Sequence, residues 1–555
     1  MLGDQGLLFP LLYCVLAVVV MYIFTSGGVG VSADSERYLE TADLIRNGEI
    51  GEAVRTAYPH SPMFYPLTIA VVQFVGLVHG SDAGRIVGIL SFVISVVAVF
   101  FLGLRIEGKP TAHLSALSML ILTPILYTFS YCWSETLYIM LSLVFFLFML
   151  SYLDGPRGKD IKYVAAGAVL AGLGFATRYL GVSLIGTGLV VMFFSSKFGK
   201  LRKRPGQMLL FGLLGVVPMV ANLLTALIYV GSVERRTVPA PISFLKQVGL
   251  FLSTIYHDFL SLDLTFRGYT FLLTDSVSSW GLNSLSLWLG VIVILSLVGL
   301  TTVFVRLVVT QASFREAVKF LAVPAIYVVF YSLALLVTTS RISVDPLGSR
   351  FVTPLYPFVL LLVFSSATHL LRTLSGKGIK KLLSGFVIAG TSLFWVIQLI
   401  SSASIYSGVS SGSFQAMEQP GNLNRSSLTF LKKRVTSEDT IITNIPRKLR
   451  FIWPRRMPYW SISGIDRSLD EIRRRCAQAR VYLLLCTNDR GTDPLVLNIE
   501  KEGSRYKIPI HQLNPVEQSA VVEEKLRRQG LTFSKVVHGF DYIYQLTEIE
   551  KGGKP

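Results

Sequence analysis

The chain has 555 residues, of which 15% are Asp, Glu, Lys or Arg, against about 25% in an average soluble domain. Its mean hydropathy is +0.56 and its formal net charge +18. Apolar runs of about 20 residues recur through the first 411 residues, which excludes a single soluble globule and also an enzyme with one membrane anchor.

The first run, 7–27, lacks a basic leader and a small-residue cleavage site, so it is expected to be a retained membrane helix and not a cleaved signal. Further runs lie at 83–104, 111–129, 133–152, 161–177, 179–196, 207–230, 285–308, 317–338, 350–367 and 383–403. Each can span a hydrocarbon core of about 30 Å, and backbone groups in lipid must be satisfied within the segment, so eleven crossing helices are expected. Residues 63–79 are also apolar but open with Pro62 and Pro66, which fits either a crossing or a helix lying on the membrane surface. The stretch 161–196 would reach about 54 Å as one helix, too long for an ordinary crossing. Arg178 in its middle favours two helices that meet at a polar boundary.

Charge distribution selects among these readings. With the N-terminus inside, 17 basic residues fall in five short inner loops, from Arg105 and Lys109 through to Arg372, Lys377, Lys380 and Lys381. That is the positive-inside pattern, and it accounts for the pI of 9.7 without nucleic acid. A crossing at 63–79, or one long helix over 161–196, would invert every later loop. The first is therefore expected to be a juxtamembrane helix and the second two crossings. The long connections 28–82, 231–284 and 404–555 then face outward.

Residues 405–424, rich in Ser, Gly, Asn and Gln, are expected to link to a small external α/β domain over 425–555. There TIITNIP, YWSIS, ARVYLLLC and FDYIYQLTEI pattern as strands, and SLDEIRRRCAQA and PVEQSAVVEEKLRRQG as helices. Asn424-Arg-Ser426 is a glycosylation sequon on the outward side. The four cysteines, Cys14, Cys132, Cys476 and Cys486, are too few for a disulfide scaffold; the last two either pair or are buried singly. No Walker A, G-x-G-x-x-G or H-E-x-x-H motif occurs, so the energy for any reaction is expected to come stored in an activated substrate.

Ionisable residues gather at the outward boundary: Asp34 and Glu36 after the first run, Arg85, Glu135, Arg178 and Arg350. Charges at one depth suit a shared polar cavity, although each alone also fits an interface anchor. A guanidinium fork binds phosphate oxygens in two places at once, and a hydroxyl attacking carbon needs a nearby base. Asp34 fits that base and equally an N-cap for a helix over 35–47.

The sequence resembles the GT-C class of polytopic glycosyltransferases, in particular the protein O-mannosyltransferases and the aminoarabinose transferases of lipid A. The resemblance spans about 1–404. It rests on Asp34 followed by Tyr38, the proline-rich YPHSPMFYPLTIAVVQFVGLVHG, Arg85, Ser134-Glu135-x-Leu137-Tyr138, Ala176-x-Arg178-Tyr179 and Arg350-Phe351-x-x-Pro354-x-x-Pro357. Ala33 stands where a Gly-Asp pair is common, the second acid is Glu36 and not an adjacent residue, and His60-Ser61-Pro62 replaces a Lys-Pro-Pro or His-Pro-Pro stretch.

The resemblance implies a polytopic all-α membrane domain, a polyprenyl or dolichyl phosphate sugar as donor, and inverting transfer to an acceptor hydroxyl of a glycolipid, polysaccharide or protein. Asp34 is the expected base, with Glu36 and Glu135 as further catalytic carboxylates; Glu135 is expected to orient the sugar, tune an arginine or help hold a divalent cation. Arg85, Arg178, Tyr179 and Arg350 are expected at the donor, and His60 at phosphate or packed beside Pro62. Tyr38, Tyr58, Tyr65 and Trp133 fit sugar stacking or an aromatic belt. His257 and Asp258 are expected over the acceptor cleft. No obligatory metal is expected, although Asp34, Glu36 and Glu135 have the hard oxygens that Mg²⁺ or Mn²⁺ prefers. Rival readings are a flippase or transporter and a non-catalytic subunit that binds lipid-linked sugar. The apolar middles of 83–104, 111–129 and 285–308 and the absence of a repeat argue against transport.

Overall fold

The computed structural model describes residues 8–26, 28–58, 61–76, 78, 80–154, 160–194, 204–231, 244–260, 312–341, 348–373 and 377–411, with seven strands between 440 and 549. Two compact units are distinguished: one of 1–25, 40–78 and 83–406, the other of 26–39, 79–82 and 407–555. Each is described by itself.

The first unit is helical. Its elements are α1 (Leu8–Phe24), the second half of α2 (Ala33–Arg46), α3 (Ile50–Ala57), α4 (Phe64–Gly76), α5 (Ser81–Ile106), α6 (Lys109–Ile121), α7 (Thr123–Phe129), α8 (Ser134–Asp154), α9 (Asp160–Thr177), α10 (Val182–Phe194), α11 (Arg204–Val230) and α12 (Phe244–Leu260). These are followed by α13 (Ala312–Arg341), the short α14 (Ser349–Val352), α15 (Tyr356–Thr373) and α16 (Lys377–Ser411). Among the described residues six helices are long and apolar enough to cross a membrane, and α6 with α7 makes a seventh if that bent pair is one span. The helices α1, α4, α9 and α10 are apolar but shorter.

The run 111–129 is not one straight helix. It bends by 60° between α6 and α7, where Pro124 cannot donate to a continuing ladder. The division of 161–196 at Arg178 is present, and 63–79 holds a separate helix, α4. The predicted crossing 285–308 lies outside the described residues. At the far end α16 continues to Ser411, into the segment expected to be a linker.

The core centres on α8, which is buried around its circumference; Leu137, Tyr138, Leu141, Phe145, Phe146 and Met149 are all enclosed. By contrast, α11 exposes Leu209, Leu213, Val217, Leu224 and Ile228, and α16 exposes Leu382, Phe386, Ile388 and Leu393. Such faces suit lipid. Small residues bring neighbours close: a Cβ on Gly103 would meet the Ala112 backbone at 2.8 Å where α5 turns into α6. Next to that turn Glu107 takes Arg372 at 3.0 Å and His369 at 3.3 Å, tying it to α15.

The second unit takes in the start of α2. Ser32 caps this helix, its Oγ accepting from the Ser35 N–H at 3.4 Å. Asp34 is therefore not the cap; it lies inside the first turn, 3.5 Å from Arg37. The C-terminal strands form a five-stranded sheet in the order β2 (Tyr459–Ser461), β1 (Thr440–Thr443), β3 (Val481–Cys486), β7 (Asp541–Ile549) and β6 (Leu531–Val537). Pairing is parallel on the β2–β1–β3 side and antiparallel on the β3–β7–β6 side. A separate antiparallel pair, β4 (Val496–Lys501) with β5 (Ser504–Pro509), was not expected, and neither was β6. The two helices predicted at 468–479 and 515–530 lie outside the described residues.

Candidate active site

Three charged residues from distant parts of the sequence meet at helix ends. Glu135 opens α8, where a carboxylate is favoured by the exposed N–H groups of the first turn. Arg178 is the extended residue between α9 and a 3₁₀ turn at Tyr179–Gly181, with φ −147° and ψ 136°. Its place is set by glycine. The 3₁₀ turn lies so tightly over the end of α9 that a Cβ on Gly181 would sit 2.3 Å from the Gly174 carbonyl carbon. Arg350 lies in α14, a four-residue helix between Gly348 and the Thr353-Pro354 turn.

The Glu135 carboxylate takes both guanidinium groups on one oxygen. Arg350 Nε donates to Oε1 at 3.0 Å, and Arg178 Nη1 makes a close ion pair with the same atom. Arg178 Nη1 also donates to Ser134 Oγ at 3.4 Å. The Glu135 side chain is 1% exposed, Arg178 12% and Arg350 18%. A charge so far from water must be paired. The trio carries two positive charges and one negative, a formal sum of +1.

Aromatic rings line the trio. The Arg350 guanidinium lies 4.9 Å from the centroids of both Trp133 and Phe351, and Arg178 5.8 Å from Phe351. Trp133 is itself buried and stacked on Tyr131 at 4.2 Å. Its ring holds the arginine, a role that its sequence position among belt aromatics does not reveal. Beneath the trio, Tyr331 donates to the Phe351 carbonyl at 2.9 Å and Tyr327 to the Tyr138 hydroxyl at 3.3 Å.

A second polar cluster adjoins α14. Ser349 Oγ donates to Asp258 Oδ1 at 2.6 Å, the Tyr356 hydroxyl makes a close hydrogen bond to Oδ2, and Gln398 Nε2 donates to the Asp258 carbonyl at 3.2 Å. Burial pushes the Asp258 carboxyl up to about 7, against the pull of the Ser349 and Tyr356 hydrogen bonds. Asp258 thus turns its carboxylate to Ser349 and Tyr356.

The other expected site residues make contacts of their own. Arg85 donates to Thr25 Oγ1 at 2.9 Å and covers the Tyr22 ring at 5.3 Å, against α1. Tyr179 packs edge-on to Phe175. Tyr65 is a core residue whose hydroxyl meets Cys132 Sγ at 3.5 Å, so it has no exposed ring to offer a sugar. Asp34, Glu36 and Tyr38 belong to the second unit, where Glu36 and Tyr38 are buried. His60 and the side chain of His257 lie outside the described residues. Among the described residues no group of three or more His, Cys, Asp and Glu is placed to hold a metal ion. A divalent cation at Glu135 would meet two guanidinium groups, so that carboxylate does not suit a metal.

The family model for dolichyl-phosphate-mannose-protein mannosyltransferase matches residues 60–224, the segment that supplies Glu135 and Arg178. The ArnT structure from Cupriavidus metallidurans bound to undecaprenyl phosphate superposes with a TM-score of 0.54 at 12% identity, over 98% of each chain. The chain therefore shares the fold of ArnT and, over residues 60–224, the sequence pattern of the mannosyltransferase family. The apo form of the same ArnT gives a TM-score of 0.52, again at 12% identity and 98% of each chain. The oligosaccharyltransferase AglB from Archaeoglobus fulgidus gives 0.42 at 10% identity, over 87% of this chain and 70% of its own. No curated protein matches the sequence. The chain is a multi-pass membrane protein, with six apolar helices of crossing length among the described residues.

Proposed function

We propose that the chain transfers a sugar from a polyprenyl or dolichyl phosphate donor to an acceptor hydroxyl on the outer face of the membrane, with inversion at the anomeric carbon. The observation that carries this reading is the buried Arg178–Glu135–Arg350 trio, whose formal charge of +1 suits a single phosphodiester. Glu135 holds the two guanidinium groups in place, and they stabilise negative charge as it develops on the leaving phosphate. The acceptor oxygen forms the new bond to the anomeric carbon, the carbon–oxygen bond to phosphate breaks, and the lipid phosphate departs. Asp34 takes the acceptor proton. No metal enters these steps.

The proposed arrangement has eleven crossings, the N-terminus inside, and residues 1–404 as the membrane domain. A linker over 405–424 leads to an outward domain over 425–555. The acceptor is a glycolipid, polysaccharide or protein hydroxyl.

The test is Asp34→Asn in membranes supplied with a lipid-phosphate sugar. Transfer is expected to fall by about 100-fold or more, the scale of a lost general base, while binding of the lipid phosphate persists. Transfer at a near wild-type rate would remove Asp34 as the base.

A further inference from the structure

Arg350 stands on a weak foundation. A helix of four residues is not stable by itself, because its nucleation cost is not repaid over so short a length. The direction in which α14 points Arg350 must therefore come from contacts outside it. One contact lies after the arginine, where Tyr331 on α13 donates to the Phe351 carbonyl. The other lies before it, where Ser349 donates to Asp258 on α12. The second Asp258 oxygen takes the hydroxyl of Tyr356, the first residue of α15. One carboxylate thus bridges both ends of the segment 349–356, and the residue it grips first is the immediate neighbour of Arg350. The element that delivers this carboxylate is itself fixed: Gln247 of α12 donates to the Thr339 carbonyl of α13 at 3.1 Å, and Gln398 of α16 holds the Asp258 carbonyl.

We propose that Asp258 is a positioning residue for Arg350, clamping the α14 turn so that the guanidinium stays on Glu135 and in reach of the donor phosphate. The proposal rests on the reading of Arg350 as a phosphate ligand. Asp258 acts through Ser349 and touches no substrate. The clamp works by hydrogen bonding and needs no charge, since burial already raises the carboxyl to about 7. An asparagine keeps a carbonyl oxygen for Ser349 and offers its amide to the Tyr356 hydroxyl.

The test is titration of the full-length purified protein with undecaprenyl phosphate. In the wild type, binding is saturable, and Arg350→Ala weakens it by about ten-fold or more, as expected for a lost charge-assisted hydrogen bond. Asp258→Ala and Ser349→Ala each weaken it several-fold. Asp258→Asn restores near wild-type binding, and Asp258→Ala combined with Arg350→Ala binds no worse than Arg350→Ala alone. Ser349→Ala removes the clamp from the α14 side and leaves the buried carboxylate with Tyr356, which separates lost positioning from lost folding. Wild-type affinity in Asp258→Ala and Ser349→Ala, beside a weakened Arg350→Ala, overturns the clamp. So does a full additive loss in the double variant. A wild type that does not bind the lipid phosphate overturns instead the reading of Arg350 on which the clamp depends.

Discussion

At the scale of single residues, Glu135 is the organising group. It is the buried carboxylate on which two arginines from sequence positions 172 residues apart (178 to 350) converge. Removing one partner of a buried ionic group leaves the others uncompensated, at a cost of about 3–5 kcal/mol. Glu135→Ala is therefore expected to lower unfolding stability in detergent by that order, read from denaturant or thermal melts, and Glu135→Gln by less, because its amide oxygen still accepts from Arg350. A Glu135→Ala protein as stable as wild type would mean that the pair contributes nothing net. All three charged residues were legible in the sequence, because a charge at a membrane-helix end is costly enough to stand out. The parts played there by Ser349, Phe351 and Tyr331 were not. A hydroxyl or a ring among apolar residues carries no such signal, and their roles depend on pairings that only the packed helices create. Trp133 stood out as a ring for a sugar or an aromatic belt, but its contact with Arg350 was not apparent.

Among the elements, the break between α9 and α10 shows how a local rule can be read in advance. Length alone required two helices over 161–196, and Arg178 marked the junction. The glycine pair that makes the junction tight was not apparent, because a close approach between Gly174 and Gly181 is a property of the fold. Gly181→Ala forces a Cβ to within 2.3 Å of backbone that cannot yield. It is expected to displace Arg178 and to reduce both melting temperature and binding of lipid phosphate. Gly206→Ala, at a helical position with nothing within 4 Å, serves as the control and is expected to be neutral or slightly stabilising. Equal behaviour of the two variants would contradict the packing account. The bend between α6 and α7 was missed although Pro124 stood in the sequence, because a continuous apolar run outweighed a single breaker. The hairpin strands β4 and β5 escaped for the opposite reason: Glu500, Lys501, Arg505 and Lys507 dilute the alternation that marks a strand.

For the whole molecule, the division into helical bundle and strand-rich tail follows from composition, and the lipid-facing sides of α11 and α16 follow from their uninterrupted apolar surface. Sidedness is a separate matter, drawn from charge in the loops. In a background lacking the native cysteines, Glu49→Cys, in the connection between α1 and α5, and Lys109→Cys, at the start of α6 just after α5, place thiols at two exposed positions. A membrane-impermeant thiol reagent is expected to label Glu49→Cys in intact cells and Lys109→Cys only after permeabilisation. The reverse pattern would turn the protein over and remove the outward reaction.

Tyr138 lies one helical turn below Glu135 on α8, while Tyr327 and Tyr331 lie one turn apart on α13. Tyr327 bonds to Tyr138, and Tyr331 bonds to the backbone next to Arg350. The acid and its arginine therefore rest on the same phenolic keel. A tilt of α13 would therefore move the support of Arg350 and the contact to α8 together, leaving the Glu135–Arg350 ion pair intact.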